Sequence, residues 1–194
     1  MNTMNPVSMH SSKAALQPVP TASGQPRRYG DFPTFPAALA YAAQGTAGFN
    51  IYSGKGELLE ALPYSVLRQQ AIETGLRLLG MGLQPGDRVA IVAESDGDFA
   101  RIFFGCQYAG LVTAPLPLPV AFGGKEAYLS TLRGMIRSAQ ASAVIIPNII
   151  EGWTDEIVSG LGLVFAGSPA ELMERTVPDM ALPEIRPEAL SYLQ

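Results

Sequence analysis

The residues best suited to hold a phosphate are Gly123, Gly124 and Lys125, which stand at the start of a predicted helix. Backbone amides at a helix N-terminus attract anions, and the lysine adds a positive charge. A phosphate-binding P-loop, however, requires a glycine at the position of Pro119 and a serine or threonine at the position of Glu126. We therefore interpret this segment as a flexible lead-in to a helix that would hold an anion only weakly.

The turn after the first predicted buried strand consists of Glu94, Ser95, Asp96, Gly97 and Asp98. A dinucleotide-binding turn needs the pattern G-x-G-x-x-G at this place, whereas this turn has three acids and one glycine. Acids repel a pyrophosphate but complement the positive end of a helix. The sequence therefore argues against NAD binding and predicts that Ser95 or Asp96 caps the following helix.

Two pairs of carboxylates have the spacing for acid–base chemistry: Asp96 with Asp98, and Asp155 with Glu156. Both pairs fall in the first turn of a predicted helix, where acids are favoured by the helix dipole alone. Structural roles therefore explain both pairs. From residue types and spacing we assign no catalytic, cofactor-binding or metal-binding residue.

The chain has one cysteine, Cys106, and one histidine, His10, which excludes a disulfide framework and a Cys/His zinc site within one chain. Cys106 lies among Phe103, Phe104 and Tyr108 on a predicted helix, so we expect a buried, inert thiol. His10 lies in a polar tail. A single unpaired cysteine is typical of a reducing compartment, and we expect the protein to be cytoplasmic.

Apolar runs alternate with helical patterns along the chain, which predicts an open, mainly parallel α/β sheet flanked by helices. Predicted strands lie near residues 88–93, 111–115, 142–147 and 163–166, with a small hairpin over 49–59. Predicted helices lie near residues 36–44, 63–81, 98–109, 125–140, 153–161 and 169–175. A last strand is predicted over 190–194, after a proline-punctuated loop.

The predicted domain division separates residues 1–30 from residues 31–194. The first segment is rich in proline and small polar residues without apolar periodicity, which predicts a disordered or extended arm. The second segment is expected to form the α/β unit. No internal repeat is visible.

Composition and charge exclude several classes of protein. The net charge is −4 and no basic face with interleaved aromatic residues is visible, so nucleic-acid binding is not expected. Residues 102–124 carry no charge and are long enough to span a bilayer, but Pro115, Pro117 and Pro119 are incompatible with a continuous helix. We therefore expect no membrane span, and the polar N-terminus does not resemble a secretory signal.

The stretch from 49 to 147 resembles the N-terminal part of a fatty acyl-AMP ligase, a branch of the AMP-dependent synthetase/ligase superfamily. The segments that carry the resemblance are residues 83–90, 98–110, 115–119 and 123–128. The Pro-Gly-Asp-Arg-Val turn at 85–89 is common to adenylating enzymes, whereas the alternating prolines and the Gly-Gly-Lys-Glu-Ala-Tyr run resemble the fatty acyl-AMP branch. Residues 190–194 resemble the strand that leads into the family's phosphate-binding loop, which extends the resemblance over about 47–194.

The resemblance implies an enzyme that joins a fatty acid to ATP, with Mg²⁺, to give an acyl-adenylate and pyrophosphate. It implies that the acyl group then passes to the phosphopantetheine arm of an acyl carrier protein or polyketide synthase. The implied fold is a large α/β domain of two sheets and a small barrel, followed by a mobile C-terminal domain. This chain would supply most of the first sheet, with the remainder of the ligase as its partner.

The family's phosphate-binding loop, adenine motif, ribose-binding aspartate and C-terminal catalytic lysine have no counterpart in the sequence, which would stop just before that loop. No catalytic residue of the family can therefore be placed on it, and the chain alone is expected to be inactive. The alternative is a stand-alone α/β module that binds a partner without catalysis. ATP-dependent release of pyrophosphate would distinguish the two.

Overall fold

The computed structural model describes residues 16–92, 94–119 and 124–194. Its helices are α1 (Phe35–Ala42), α2 (Tyr64–Gly80), α3 (Gly97–Ala109), α4 (Gly124–Ser138), α5 (Thr154–Val158) and α6 (Pro169–Met173), with a 3-10 helix at Asn148–Trp153. Its strands are β1 (Gly48–Tyr52), β2 (Leu58–Pro63), β3 (Arg88–Val92), β4 (Val112–Leu116), β5 (Ala143–Ile145) and β6 (Phe165–Gly167).

The main sheet has four strands in the order β4-β3-β5-β6, and all three neighbouring pairs are parallel. The prediction of an open, parallel α/β sheet is therefore confirmed. β1 and β2 form a separate antiparallel hairpin, in which Phe49 pairs with Leu62. Past the last helix, Tyr192 forms one isolated parallel bridge with Thr113, which places the chain's final residues along the outer edge of β4.

Both faces of the sheet are buried, as the nearly continuous apolar sequence of β3 predicts. Val89 and Ile91 point to the side covered by α2, α3 and α6, while Ala90 and Val92 point to the side covered by α4 and α5. A fully buried valine or isoleucine contributes about 1.5–3 kcal/mol. The sheet therefore has a hydrophobic core on each face. Because helices cover both faces, we expect a site where the strands end.

The fourth strand of the main sheet begins later than the sequence predicts. A strand is predicted near 163–166, whereas β6 begins at Phe165 and the side chain of Val164 is exposed. Gly160 and Gly162 both adopt left-handed backbone conformations, so the chain is still turning when the apolar run begins. The predicted helix at 153–161 is likewise shorter, because α5 ends at Val158.

The predicted arm is described only in part, since residues 1–15 lie outside the described residues. Residues 16–30 form neither helix nor strand and are mostly exposed. The Val19 amide donates to Asn50 Oδ1 at 2.8 Å, and Asn50 Nδ2 donates to the Val19 carbonyl at 2.9 Å. The Thr46 amide also donates to the Ser23 carbonyl at 3.1 Å. This part of the arm therefore runs along β1 and the turn that precedes it.

Within the described ranges, no helix is both long and apolar enough to cross a membrane. The uncharged stretch that begins at residue 102 supplies the end of α3 and the whole of β4.

Candidate functional site

An apolar cavity of about 440 Å³ lies between β1 and the first half of α3. Its wall is mostly aromatic and aliphatic, with three polar residues. The lining residues are Phe49, Asn50, Ile51, Ser95, Asp96, Phe99, Ala100, Phe103 and Phe104. Ligand pockets in proteins commonly combine an apolar wall with a few polar groups, so this cavity is the candidate site.

The aromatic wall is fixed by ring contacts along α3. The rings of Phe99 and Phe103 lie 5.9 Å apart, and those of Phe103 and Phe104 lie 5.5 Å apart with their planes nearly perpendicular. Phe35, on α1, packs edge-on against Phe103 at 5.5 Å. These distances are typical of favourable aromatic pairs. The wall is therefore a packed cluster that joins α1 to α3.

The polar end of the cavity lies where β3 passes into α3. Asp96 has extended backbone angles, and its Oδ1 accepts a hydrogen bond from the Phe99 amide at 2.8 Å. The predicted cap is thus Asp96 rather than Ser95. Its carboxylate satisfies a helix amide and places negative charge beside the cavity.

Arg101 holds the start of α3 to two other elements. Its Nε donates to Gln70 Oε1 on α2 at 2.7 Å, Nη1 contacts Asp98 Oδ1 at 3.1 Å, and Nη2 pairs with the Glu60 carboxylate on β2. Burial raises the pKa of Asp98 above its ordinary value, while the charge of Arg101 opposes that rise. A side chain added at Gly97 would collide with the Glu60 carboxylate, so the start of α3 packs closely against Glu60.

Residues 123–125 are the segment that the sequence suggests as a weak anion site, and its lysine contacts a carboxylate instead. Gly123 lies outside the described residues, and Gly124 begins α4 in a left-handed conformation. Lys125 Nζ lies 2.6 Å from Glu156 Oε1 and 5.2 Å from the centre of the Trp153 ring. The lysine therefore joins α4 to α5, and its charge is matched by a carboxylate.

The two carboxylate pairs examined in the sequence have separate partners. Asp96 caps α3 and Asp98 contacts Arg101. Asp155 and Glu156 lie in the first turn of α5, where Glu156 contacts Lys125. No group of three His, Cys, Asp or Glu side chains in the described ranges is arranged to hold a metal ion.

Cys106 is fully buried in the core between α3 and the sheet, which confirms the prediction of burial. Burial raises the pKa of its thiol far above the ordinary value. The reactive thiolate is thereby disfavoured. His10, the other residue considered in the sequence, lies outside the described residues.

Sequence reasoning missed the cavity and the Arg101 contacts. The cavity combines β1 with α3, and nothing local in either segment shows that they meet. Arg101 stands three residues after Asp98, a spacing that favours an ion pair on a helix. That signal identifies one partner, but Glu60 and Gln70 are too distant along the chain to be predicted.

Comparisons with known proteins identify the family. A family model described as AMP-binding enzyme matches residues 42–192. A protein of Caulobacter vibrioides named as an acyl-CoA synthetase is 50% identical over 182 residues, covering 94% of this chain and 32% of that protein. The long-chain-fatty-acid–AMP ligase FadD32 of Mycolicibacterium smegmatis is 30% identical over 101 residues, covering 52% of this chain and 14% of the ligase.

Solved structures agree with the sequence comparisons. A structure from work on fatty acyl-adenylate ligases of E. coli and L. pneumophila has a TM-score of 0.82 and 36% identity, covering 87% of this chain and 30% of that one. The adenylation domain of a keto acid-selecting NRPS module, at 18% identity, shares the fold with a TM-score of 0.68, covering 83% of this chain and 30% of that domain. The chain spans about a third or less of the length of these proteins. The parallel sheet with its flanking helices is thus the fold of adenylating enzymes, and the chain belongs to the AMP-binding enzyme family.

Proposed function

We propose that this chain is the N-terminal part of a fatty acyl-AMP ligase, in which a longer protein joins a fatty acid to ATP and releases pyrophosphate. The observation that carries the proposal is the likeness to a fatty acyl-adenylate ligase structure, with a TM-score of 0.82 over 87% of the chain. The match to the ligase FadD32 supports the same branch of the family.

In this proposal the cavity beside α3 receives part of the alkyl chain of the fatty acid. Its wall of Phe49, Phe99, Phe103 and Phe104 offers apolar surface, and burying each methylene group of the ligand would contribute about 0.8 kcal/mol. The Asp96 carboxylate at one end would repel the fatty acid's carboxylate. The methyl end of the chain therefore lies nearer to Asp96.

Two features argue against the described residues as the site of ATP with Mg²⁺. Triphosphate binding needs amide donors and a cation that converge on the phosphates. Lys125 is paired with Glu156, and the turn at the end of β3 is acidic. We therefore propose that the nucleotide binds to parts of the longer protein and that the 194-residue chain alone does not adenylate.

The acyl group of the adenylate needs an acceptor. We propose the phosphopantetheine arm of an acyl carrier protein, either free or within a polyketide synthase, in keeping with the fatty acyl-AMP branch. The relative named as an acyl-CoA synthetase makes coenzyme A the competing acceptor. With either acceptor the product is a thioester, and the protein would serve lipid biosynthesis in the cytoplasm.

The test is pyrophosphate exchange driven by medium- and long-chain fatty acids, measured on the longer protein and on the 194-residue chain. We expect exchange by the longer protein and no exchange by the 194-residue chain. Addition of either holo-acyl carrier protein or coenzyme A then identifies the acceptor. Absence of exchange from both proteins, combined with fatty-acid binding, would favour the non-catalytic binding module instead.

A further inference from the structure

Gln107 is a buried polar residue of α3 that faces the last residues of the chain. Its side chain is only 4% exposed, and its Nε2 donates to the Ser191 carbonyl at 2.9 Å. A buried carboxamide costs free energy unless it is hydrogen-bonded. This contact joins residues 84 positions apart in the sequence, so it is a tertiary contact.

The Ser191 carbonyl receives donors from both α3 and β4. Besides Gln107 Nε2, the Thr113 amide donates to it at 3.1 Å and Thr113 Oγ1 lies 3.4 Å away. In return the Leu193 amide donates to the Thr113 carbonyl at 2.7 Å. The terminal segment, defined as residues 189–193, therefore joins the sheet through a single bridge that a helix side chain reinforces.

Apolar packing of the terminal segment is too limited to set its register. The Tyr192 ring lies 6.3 Å from Phe35 and 6.4 Å from Phe103, but 42% of Tyr192 and 54% of Leu190 remain exposed. A strand with little buried on either face is prone to slip along its neighbour. Because a slip of one residue would move the Ser191 carbonyl away from Nε2, Gln107 opposes it.

We propose that Gln107 is a positioning residue that fixes the register of the terminal segment along the edge of β4. It acts through the Ser191 carbonyl and touches no reactant. Its own position is rigid, because α3 is held by the contacts of Arg101 and packs closely on α2. In a longer protein, the position of the residues that follow Gln194 would therefore depend on the register that Gln107 fixes.

The first test measures hydrogen exchange of the Leu193 amide by NMR in the 194-residue chain. Replacing Gln107→Leu removes the donor and should lower the protection of this amide roughly tenfold, the effect of one hydrogen bond. Amides of β3 should keep their protection. The matched control is Gln69→Leu, the same change on the exposed face of α2.

Gln107→Glu separates hydrogen bonding from packing within one protein. At low pH the neutral carboxyl donates its proton to the Ser191 carbonyl, whereas at high pH the carboxylate repels that oxygen. Burial at this position should raise the pKa of the introduced carboxyl above the ordinary value of about 4.3. Protection of Leu193, corrected for intrinsic exchange, should therefore rise as the pH falls from about 8 to about 4. Because the comparison stays within one variant, it is valid even if Gln107→Leu is generally destabilised. Unchanged Leu193 protection in Gln107→Leu, or a pH-independent loss in Gln107→Glu, would overturn the proposal.

A second test rests on the proposed function and uses the longer protein. If the terminal segment leads into the phosphate-binding loop, Gln107→Leu should lower kcat/KM for ATP in pyrophosphate exchange by roughly tenfold. The KM for fatty acid should change little, because Gln107 does not line the cavity beside α3. Equal losses for both substrates would contradict a positioning role. If the longer wild-type protein shows no exchange, the proposed function fails, whereas the hydrogen-exchange result for Gln107 still stands.

Discussion

At the scale of single residues, Arg101 is the side chain on which β2, α2 and α3 converge. It is largely buried, and it contacts Glu60, Gln70 and Asp98 at once. Arg101→Met keeps much of the side-chain volume but leaves two carboxylates without their cation. We expect the free energy of unfolding at neutral pH to fall by about 1–3 kcal/mol, measured by urea denaturation. An unchanged denaturation midpoint would show that solvent already screens these pairs.

The same substitution has a predicted pH dependence. Burial already raises the pKa of Asp98 in the folded protein above its ordinary value of 3.8, and Arg101 limits that rise. A carboxyl with a raised folded pKa stabilises the fold most below its unfolded pKa, and this contribution is lost as the pH rises through the folded pKa. Without Arg101 the folded pKa rises further. As the pH rises from about 4 to about 7, the free energy of unfolding should therefore fall more in Arg101→Met than in the wild type. Parallel stability–pH curves would contradict this.

Cys106 gives a second prediction at this scale. Its thiol is fully buried and its pKa is strongly raised by burial. Labelling by a thiol reagent should therefore be slow in the native protein, should remain slow as the pH rises from about 7 to about 9, and should become rapid in denaturant. Rapid labelling of the native chain would show that α3 opens easily from the sheet.

At the scale of elements, α2 and α3 pack closely because each has a glycine at the contact. A Cβ at Gly75 would lie 2.6 Å from the Gly105 carbonyl oxygen, and a Cβ at Gly105 would lie 2.8 Å from Thr74 Cγ2. Gly75→Ala should therefore separate the helices and destabilise the fold by about 1–3 kcal/mol in thermal or urea denaturation.

The matched control for this prediction is Gly134→Ala on α4, where an added Cβ meets no atom within 4 Å. Alanine favours a helix by up to about 1 kcal/mol over glycine, so the control should be neutral or stabilising. If both alanine variants were stabilising, close packing of α2 on α3 would not be important for the fold.

Local signals predicted most of the elements, and tertiary contacts account for what they missed. Asp96, one of the two caps that the sequence predicts, begins α3, and the left-handed Gly110 ends it. Strand β6 begins later than predicted because backbone turns at Gly160 and Gly162, rather than hydrophobicity, decide where it begins. Gln107 could not be identified from sequence, since its partner Ser191 is remote and its neighbours indicate only a buried helix face.

At the scale of the whole molecule, exposed apolar side chains near the terminal segment predict self-association. Leu190 and Tyr192 are both exposed, and Tyr192 extends the aromatic cluster of Phe35 and Phe103 to the surface. Contiguous apolar surface of this kind favours association or partner binding. We expect a concentration-dependent mass in light scattering and binding of a hydrophobic dye.

Leu190→Lys should reduce this association. The matched control, Ile149→Lys, changes an isolated side chain that is 70% exposed on the 3-10 helix and should have no effect. A strictly monomeric wild-type chain without dye binding would contradict the prediction.

We propose that this chain is the acyl-binding front of a ligase whose nucleotide site lies elsewhere. Pyrophosphate exchange with long-chain fatty acids, assayed in parallel on the 194-residue chain and on the longer protein, tests it most directly. We expect robust exchange by the longer protein and none by the chain alone, because Lys125 is paired with Glu156 and the turn at 94–98 is acidic. Robust exchange by the purified 194-residue chain would contradict this proposal and would require a nucleotide site within the chain.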